Sequence, residues 1–185
     1  MAGIAESMAD VFDYVWHRFR SRLTGLEDAE YFWEPVADCW SVRQDAGGRW
    51  VIDGAGGDVS AGPPPDPPPV TTIAWRIGHI GLTFIGFGDR LFGTGAIGVE
   101  NVTMPGSAAA AVSFLDRSYH EYWRDKFAGI TADRWWQPIG PAFGPYGTNS
   151  TADLALHVLD EFSHHAAEIG LLRDLYANRA TLRGG

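Results

Sequence analysis

The sequence predicts one all-α domain in which four helices pack into a bundle, with a short β-hairpin and long Gly/Pro-rich loops. Apolar residues recur at intervals of three or four in four separate stretches, the pattern of amphipathic helices. The 23 glycines and 11 prolines fall mostly between those stretches. A length of 185 residues suits a single domain with a sizeable core.

Composition and charge exclude several classes of protein. The net charge of -9 and the lack of a basic cluster argue against a nucleic-acid partner. No apolar run approaches the length of a membrane span, and the N-terminus has no signal-peptide pattern. The single cysteine, Cys39, excludes an internal disulfide, and we interpret it as a small apolar residue rather than a nucleophile. A soluble, cytoplasmic protein is expected.

The first half of the chain begins with a helix and continues into a hairpin. Apolar spacing predicts helix 1 from Ile4 to Leu23, with Gly25 as its stop. Aromatic and β-branched residues around an Asp-Ala-Gly-Gly turn predict a hairpin that pairs Trp40 to Arg43 with Arg49 to Ile52. The glycines and prolines of residues 54–70 then predict an extended loop, including the run Pro63 to Pro69.

Helix 2 is expected to start at Thr71 or Thr72 and to be largely buried, because its sequence TIAWRIGHIGLTFIGFGDRLFG is mostly apolar. Four glycines in this helix each cost about 1 kcal/mol relative to alanine. They indicate either close approach of a neighbouring backbone or space for a ligand. The glycines are Gly78, Gly81, Gly86 and Gly88. His79 is the one histidine in this helix.

Helix 3 is predicted from Ser107, as its N-cap, through Phe127. A second irregular stretch, residues 129–149, is rich in Trp, Gly and Pro. The chain has eight tryptophans, and those of the loops either line an aromatic pocket or only plug the end of the bundle. Trp40 and Trp75 are the pocket candidates.

Helix 4 covers residues 150–177, and its pattern is the most informative in the chain. Ser150 and Asp153 form a capping-box-like start. Four polar residues, His157, Glu161, His165 and Glu168, lie within a sector of roughly 80° together with leucine and valine side chains, which predicts that they face the core.

Buried carboxylates and imidazoles need mutual hydrogen bonds or a metal ion. Glu161 and His165 are one turn apart, about 6 Å along the axis, which suits two ligands of one divalent ion. The alternative is a hydrogen-bonded polar cluster that only fixes the register of the helix.

Three strings, WEPVADCWSVR, PPPVTTIAWRIGHI and HVLDEFSHHAAEIGLLRDLY, resemble the DinB-like superfamily. This group of metal-binding four-helix bundles includes YfiT-like proteins and bacterial thiol-dependent transferases. The resemblance implies an antiparallel up-down-down-up bundle with a divalent metal, often zinc or nickel. It assigns His79, Glu161 and His165 as ligands. Many members have histidine at the position of Glu161, so this chain departs from a three-histidine site.

The resemblance also implies a function. Relatives transfer a low-molecular-weight thiol, such as mycothiol or bacillithiol, to an electrophile, or hydrolyse a small-molecule substrate, and they are commonly homodimers. On this hypothesis His157 and Glu168 support the ligands by hydrogen bonding, and Arg43 and Arg76 are candidates for holding a carboxylate of the substrate. The alternative is a non-catalytic small-molecule-binding or stress-associated bundle with a structural polar cluster.

Overall fold

The computed structural model describes residues 3–57 and 65–182, and these residues are mostly helical. Part of the predicted Gly/Pro loop, residues 58–64, lies outside the described residues, and this includes Pro63 of the Pro63 to Pro69 run. The elements are α1 (Ile4–Arg22), α2 (Asp28–Tyr31), β1 (Val42–Gln44), β2 (Trp50–Ile52), α3 (Ile73–Phe92), α4 (Ala108–Arg117), α5 (Thr151–Ala177) and α6 (Arg179–Leu182). The expectation of a helical fold with one short hairpin is therefore confirmed.

The helices α3, α4 and α5 begin at side-chain caps. Thr72 Oγ1 accepts from the N–H of Trp75, and Ser107 Oγ accepts from the N–H of Ala110. Ser150 caps α5 reciprocally with Asp153, whose carboxylate accepts the Ser150 N–H at 2.8 Å. Hydrogen bonds from Ser150 lower the pKa of Asp153. These three helices therefore start where the sequence predicts.

The third helix is less regular than its sequence predicts. The α-helix ends at Arg117 and continues as a π-helical turn (Ser118–Trp123) and then as 3-10 turns (Arg124–Gly129). Ser118 Oγ donates to the Phe114 carbonyl at 2.8 Å, and such bonds compete with the helical ladder.

The hairpin forms around the predicted turn, but β1 begins two residues later than expected. Val42 pairs with Ile52 and Gln44 with Trp50. Trp40 is instead bridged to the segment that leads into α3, because its carbonyl accepts the N–H of Thr72 at 2.9 Å. The hairpin is thereby fixed beside the first turn of α3.

Aromatic side chains form the centre of the core. The Phe162 ring on α5 lies 5.3 Å from Phe84 and 5.7 Å from Phe19, measured between centroids, and Trp16 stacks on Tyr119 at 4.1 Å. These rings join α1, α3, α5 and the π-helical turn. Phe84 pairs with Phe162 and Phe87 with His157, so α3 and α5 run in opposite directions where they meet.

Within residues 3–57 and 65–182, no helix combines the length and the apolar character needed to cross a lipid bilayer.

A buried carboxylate at the end of α3 organises the loop that follows. Asp89 Oδ2 accepts the N–H of Ile97 at 2.9 Å, and Oδ1 accepts the N–H of Thr94 at 3.1 Å. These backbone hydrogen bonds, the one from Ile97 above all, lower the pKa of Asp89 although burial opposes the charge. The carboxylate therefore stabilises the folded state in its ionised form.

We expect Asp89→Asn to lower the free energy of unfolding by about 1–3 kcal/mol at pH 7, because an amide NH2 would face a backbone donor. The folded pKa is depressed, so the stabilisation is present above the unfolded pKa and is lost as the pH falls through the folded pKa. Urea unfolding at pH 7 and below about pH 4 measures the difference. The exposed Asp10→Asn is the control, and an equal effect of both changes would contradict the assignment.

Candidate metal centre

His79, Glu161 and His165 meet where α3 packs on α5. Glu161 Oε2 lies 3.2 Å from His79 Nε2 and 3.3 Å from His165 Nε2. One ligand atom from each residue falls within 4.8 Å of the others. His165 is buried, whereas His79 and Glu161 are partly exposed. The structure thus brings together the three residues that the sequence analysis singles out as ligands.

The His79 ring is held by a backbone carbonyl and by an indole. Its Nδ1 donates to the Gly56 carbonyl at 2.6 Å, and the ring stacks on Trp75 with centroids 5.0 Å apart. Gly56 has a φ of 66° within a left-handed turn that follows β2. Such a φ favours glycine, and the turn directs this carbonyl at the histidine.

The His165 ring is held by a carboxylate. Its Nδ1 lies 2.6 Å from Glu168 Oε2 and 3.0 Å from Arg76 Nη1, so the carboxylate is the closer partner, and Arg76 Nε lies 3.0 Å from the same carboxylate oxygen. Burial opposes the charge on Glu168, but hydrogen bonding from His165 and the charge of Arg76 outweigh it and lower the pKa of Glu168. An ionised Glu168 can only accept, so the proton at this contact belongs to His165 Nδ1.

Glu161 is ionised as well. Hydrogen bonds with His165 and His79 hold its pKa well below the usual range of a carboxyl group, although burial acts in the opposite direction. Burial disfavours a charged His165, yet the hydrogen bonds to Glu161 and Glu168 outweigh it and raise the pKa of His165.

These partners determine which nitrogens are available. Both Nδ1 atoms donate to acceptors, so the lone pairs of the neutral rings are on the Nε2 atoms, and both face Glu161 Oε2. Either each imidazole carries a second proton or a cation lies between the three groups. Histidine ligands of metals ordinarily donate their other N–H to a carbonyl or carboxylate, as here. The donor set of two nitrogens and one oxygen suits a zinc-like ion.

A cavity of about 760 Å³ lies against one side of this cluster. His79 and Glu161 are part of its wall, and most of the remaining wall consists of aliphatic and aromatic side chains from α3, α5 and the loops. Phe87, Phe143 and Tyr146 are its aromatic residues. A ligand in the cavity would therefore reach the cluster from the side of His79 and Glu161.

The polar sector of α5 is less buried than the sequence predicts. Only His165 is buried; Glu161 and Glu168 are partly exposed, and His157 is exposed. For His157 and Glu161 the reason is that they face the cavity rather than the core. His157 lines the cavity with its ring against Phe87, at 5.6 Å between centroids.

Neither tryptophan singled out as a pocket residue lines the cavity. Trp75 lies behind His79 because its Nε1 donates to the Asp53 carbonyl at 2.9 Å, and Trp40 packs on Trp75 at 6.0 Å. Nor do the two basic candidates line it. Arg43 pairs with Glu34 and Asp53 away from the cavity, and Arg76 is occupied by Glu168.

The sequence analysis does not identify Gly56, Phe143 or Tyr146. The signal for the two aromatic residues is the segment PAFGPY, which stands in the loop already noted for its aromatic content.

Comparison with known families supports the resemblance. A family model described as the DinB superfamily matches residues 12–169, which is most of the chain. Searches among curated proteins and among solved structures found no match.

We expect Glu161→Gln to remove bound metal, because the amide keeps the size of the side chain but loses the negative charge. Protein prepared without nickel-affinity chromatography is measured by elemental analysis. Near-stoichiometric zinc or nickel should fall to a trace in the variant. Asp160→Asn, an exposed neighbour on the same helix, is the matched control. Equal metal contents in all three proteins would rule out Glu161 as a ligand.

Glu168→Gln should weaken metal binding without abolishing it. The amide no longer holds the proton on His165 Nδ1 as firmly, and such supporting contacts are worth about 10- to 100-fold in affinity. Competition with a chromophoric chelator measures the dissociation constant. Stoichiometry at saturating metal should stay unchanged, and loss of all binding would instead make Glu168 a ligand.

Proposed function

The chain belongs to the DinB superfamily, and on this premise we propose that it is a metal-dependent enzyme in which His79, Glu161 and His165 hold one divalent ion, zinc or nickel. One observation carries the proposal. Both histidines have their Nδ1 atoms occupied by acceptors, so two Nε2 lone pairs and an ionised carboxylate converge on one point. One divalent ion between the three groups would satisfy both Nε2 atoms and the carboxylate at once.

Three protein ligands leave a coordination position open, as in catalytic sites. When bound, such an ion lowers the pKa of a thiol or a water molecule and supplies a nucleophile at neutral pH. The chain itself orients the site: the Gly56 carbonyl and Trp75 fix the His79 ring, and Glu168 fixes the His165 ring. The cavity wall beside His79 and Glu161 positions the substrate on the open side.

The reaction we propose is transfer of a low-molecular-weight thiol to an electrophilic small molecule. The thiol sulfur forms a bond to the electrophilic carbon, the leaving group departs with its electron pair, and the thiol proton passes to solvent. Hydrolysis is the second candidate. Among the described residues that line the cavity, Arg90 is the one lysine or arginine. A highly anionic thiol would therefore form few ion pairs there, and this favours hydrolysis.

We also propose the up-down-down-up arrangement of a four-helix bundle. It is supported by the opposite directions of α3 and α5 at their contact and by the packing of α1 on α5 and of α3 on α4.

Removal of the metal should abolish turnover, and its return should restore turnover. Conjugation of 1-chloro-2,4-dinitrobenzene with cysteine, mycothiol or bacillithiol measures thiol transfer, and p-nitrophenyl acetate without thiol measures hydrolysis. We expect dialysis against EDTA and Glu161→Gln each to lower kcat/KM by about 100-fold or more, because the activation of the nucleophile is lost.

The Asp160→Asn variant should keep the wild-type rate in both assays. If the metal-loaded protein, the metal-free protein and Glu161→Gln all give the same rates, the chain is a non-catalytic binding bundle.

A further inference from the structure

The four glycines of α3 divide into two kinds. A side chain at Gly78, Gly81 or Gly88 would collide with a neighbouring element. The atoms in the way belong to Ile52 opposite Gly78, the Phe114 ring opposite Gly81 and the Tyr122 carbonyl opposite Gly88. Close packing therefore accounts for these three glycines.

Gly86 has no such reason. Apart from its chain neighbours and the surrounding backbone of α3, a Cβ at this position would have no atom within 4 Å, and Gly86 lines the cavity. It lies in the interior of a regular α-helix, where glycine is unfavourable relative to alanine. Glycine at this position lowers the stability of the helix and leaves the adjoining part of the cavity unfilled.

The cavity extends along α3 and α5 away from the candidate metal centre, and we call it the channel. His79 and Arg90 both line it and are eleven residues apart on α3, about 16 Å at the rise of an α-helix. Because α5 is antiparallel to α3, Glu161 lies on the opposite wall at the His79 end, and Asp153 lies on that wall towards the Arg90 end. Gly86 lies between the ends.

The middle of the channel is mostly apolar, with His157 and Thr83 as its polar residues among those described. Phe87 and Phe143 lie nearly parallel, with an interplanar angle of 19° and centroids 6.3 Å apart. Aliphatic side chains, among them Leu82, Val99 and Leu154, complete this part of the wall. Such a wall binds an apolar ligand and offers few hydrogen bonds or ion pairs to a sugar or to a chain of charged groups.

We propose that Gly86 keeps this channel open for a ligand with an elongated, ring-containing apolar body, whose reactive group lies at His79 and Glu161. The aromatic and aliphatic middle section contacts the body of the ligand along its length. Only the position of the reactive group rests on the proposed function; the apolar binding stands on the wall and on Gly86.

The test uses N-phenyl-1-naphthylamine, an uncharged aromatic probe that fluoresces in apolar surroundings. The full chain should bind it. Gly86→Leu should weaken binding by at least about tenfold, because the leucine side chain overfills the channel. Gly86→Ala, the smaller step at the same position, adds one methyl group and should weaken binding by an intermediate amount, about two- to fourfold.

Thermal unfolding tests whether the leucine variant is folded. Both substitutions replace a glycine inside a helix, so we expect each to raise Tm by about 2–4 °C. Val99→Phe fills the channel from a different wall and should also weaken probe binding. If the wild type does not bind the probe, or if Gly86→Leu and Val99→Phe both bind it as the wild type does, the proposal is overturned.

Zinc titration of the same proteins separates the two proposals. Gly86→Leu should bind zinc as the wild type does, since it leaves the three ligands in place. Absence of zinc binding in the wild type, together with probe binding that Gly86→Leu blocks, would overturn the metal-dependent function and support the apolar channel. Normal zinc binding with unchanged probe binding in both filling variants would overturn the channel alone.

Discussion

The burial of Phe162 fixes the positions of the two candidate ligands on α5, Glu161 and His165. Its ring packs among aromatic side chains of α1, α3 and the π-helical turn. Successive residues of an α-helix are about 100° apart, so this packing turns Glu161 and His165 to the same side of α5, towards His79. A rotation of α5 that exposed Phe162 would also separate the carboxylate from both imidazoles. Core packing and the geometry of the candidate site are thus one constraint.

The charges around the cluster complement a cation. With neutral histidines, the ionised Glu161 and Glu168 and the guanidinium of Arg76 sum to one negative charge. Arg76 is largely buried, and burial lowers its pKa while the charges of Glu168 and Glu161 act in the opposite direction. It pairs with the outer carboxylate, Glu168, and so leaves the charge of Glu161 available at the point where the two Nε2 atoms converge.

The sequence predicts the helices and the three converging residues well because periodicity and caps are local signals. Helix 2 and helix 4 begin at the predicted threonine and serine, and His79 meets Glu161 as the family resemblance implies. It does not predict the break after Arg117, which depends on a side-chain bond of Ser118, or the position of Trp75, which depends on the Asp53 carbonyl. The first is one of several local bonds that a serine in a helix can make, and the second joins residues 22 positions apart, so neither leaves a periodic signal in the sequence. The exposure of His157 is unpredictable for a similar reason. Helical spacing shows which residues share one side of the helix, but it does not show whether that side faces the core or a cavity.

The hydrogen bond from His79 to Gly56 has an acceptor that no side-chain substitution can delete, because it is a backbone carbonyl. Its direction depends only on the left-handed conformation of the turn after β2. The orientation of the His79 ring therefore depends on the backbone conformation at Gly56 rather than on a particular side chain. Local opening of that turn, with His79, Glu161 and His165 unchanged, would remove the acceptor that holds the His79 ring, so the geometry of the site depends on the hairpin as well as on the two helices.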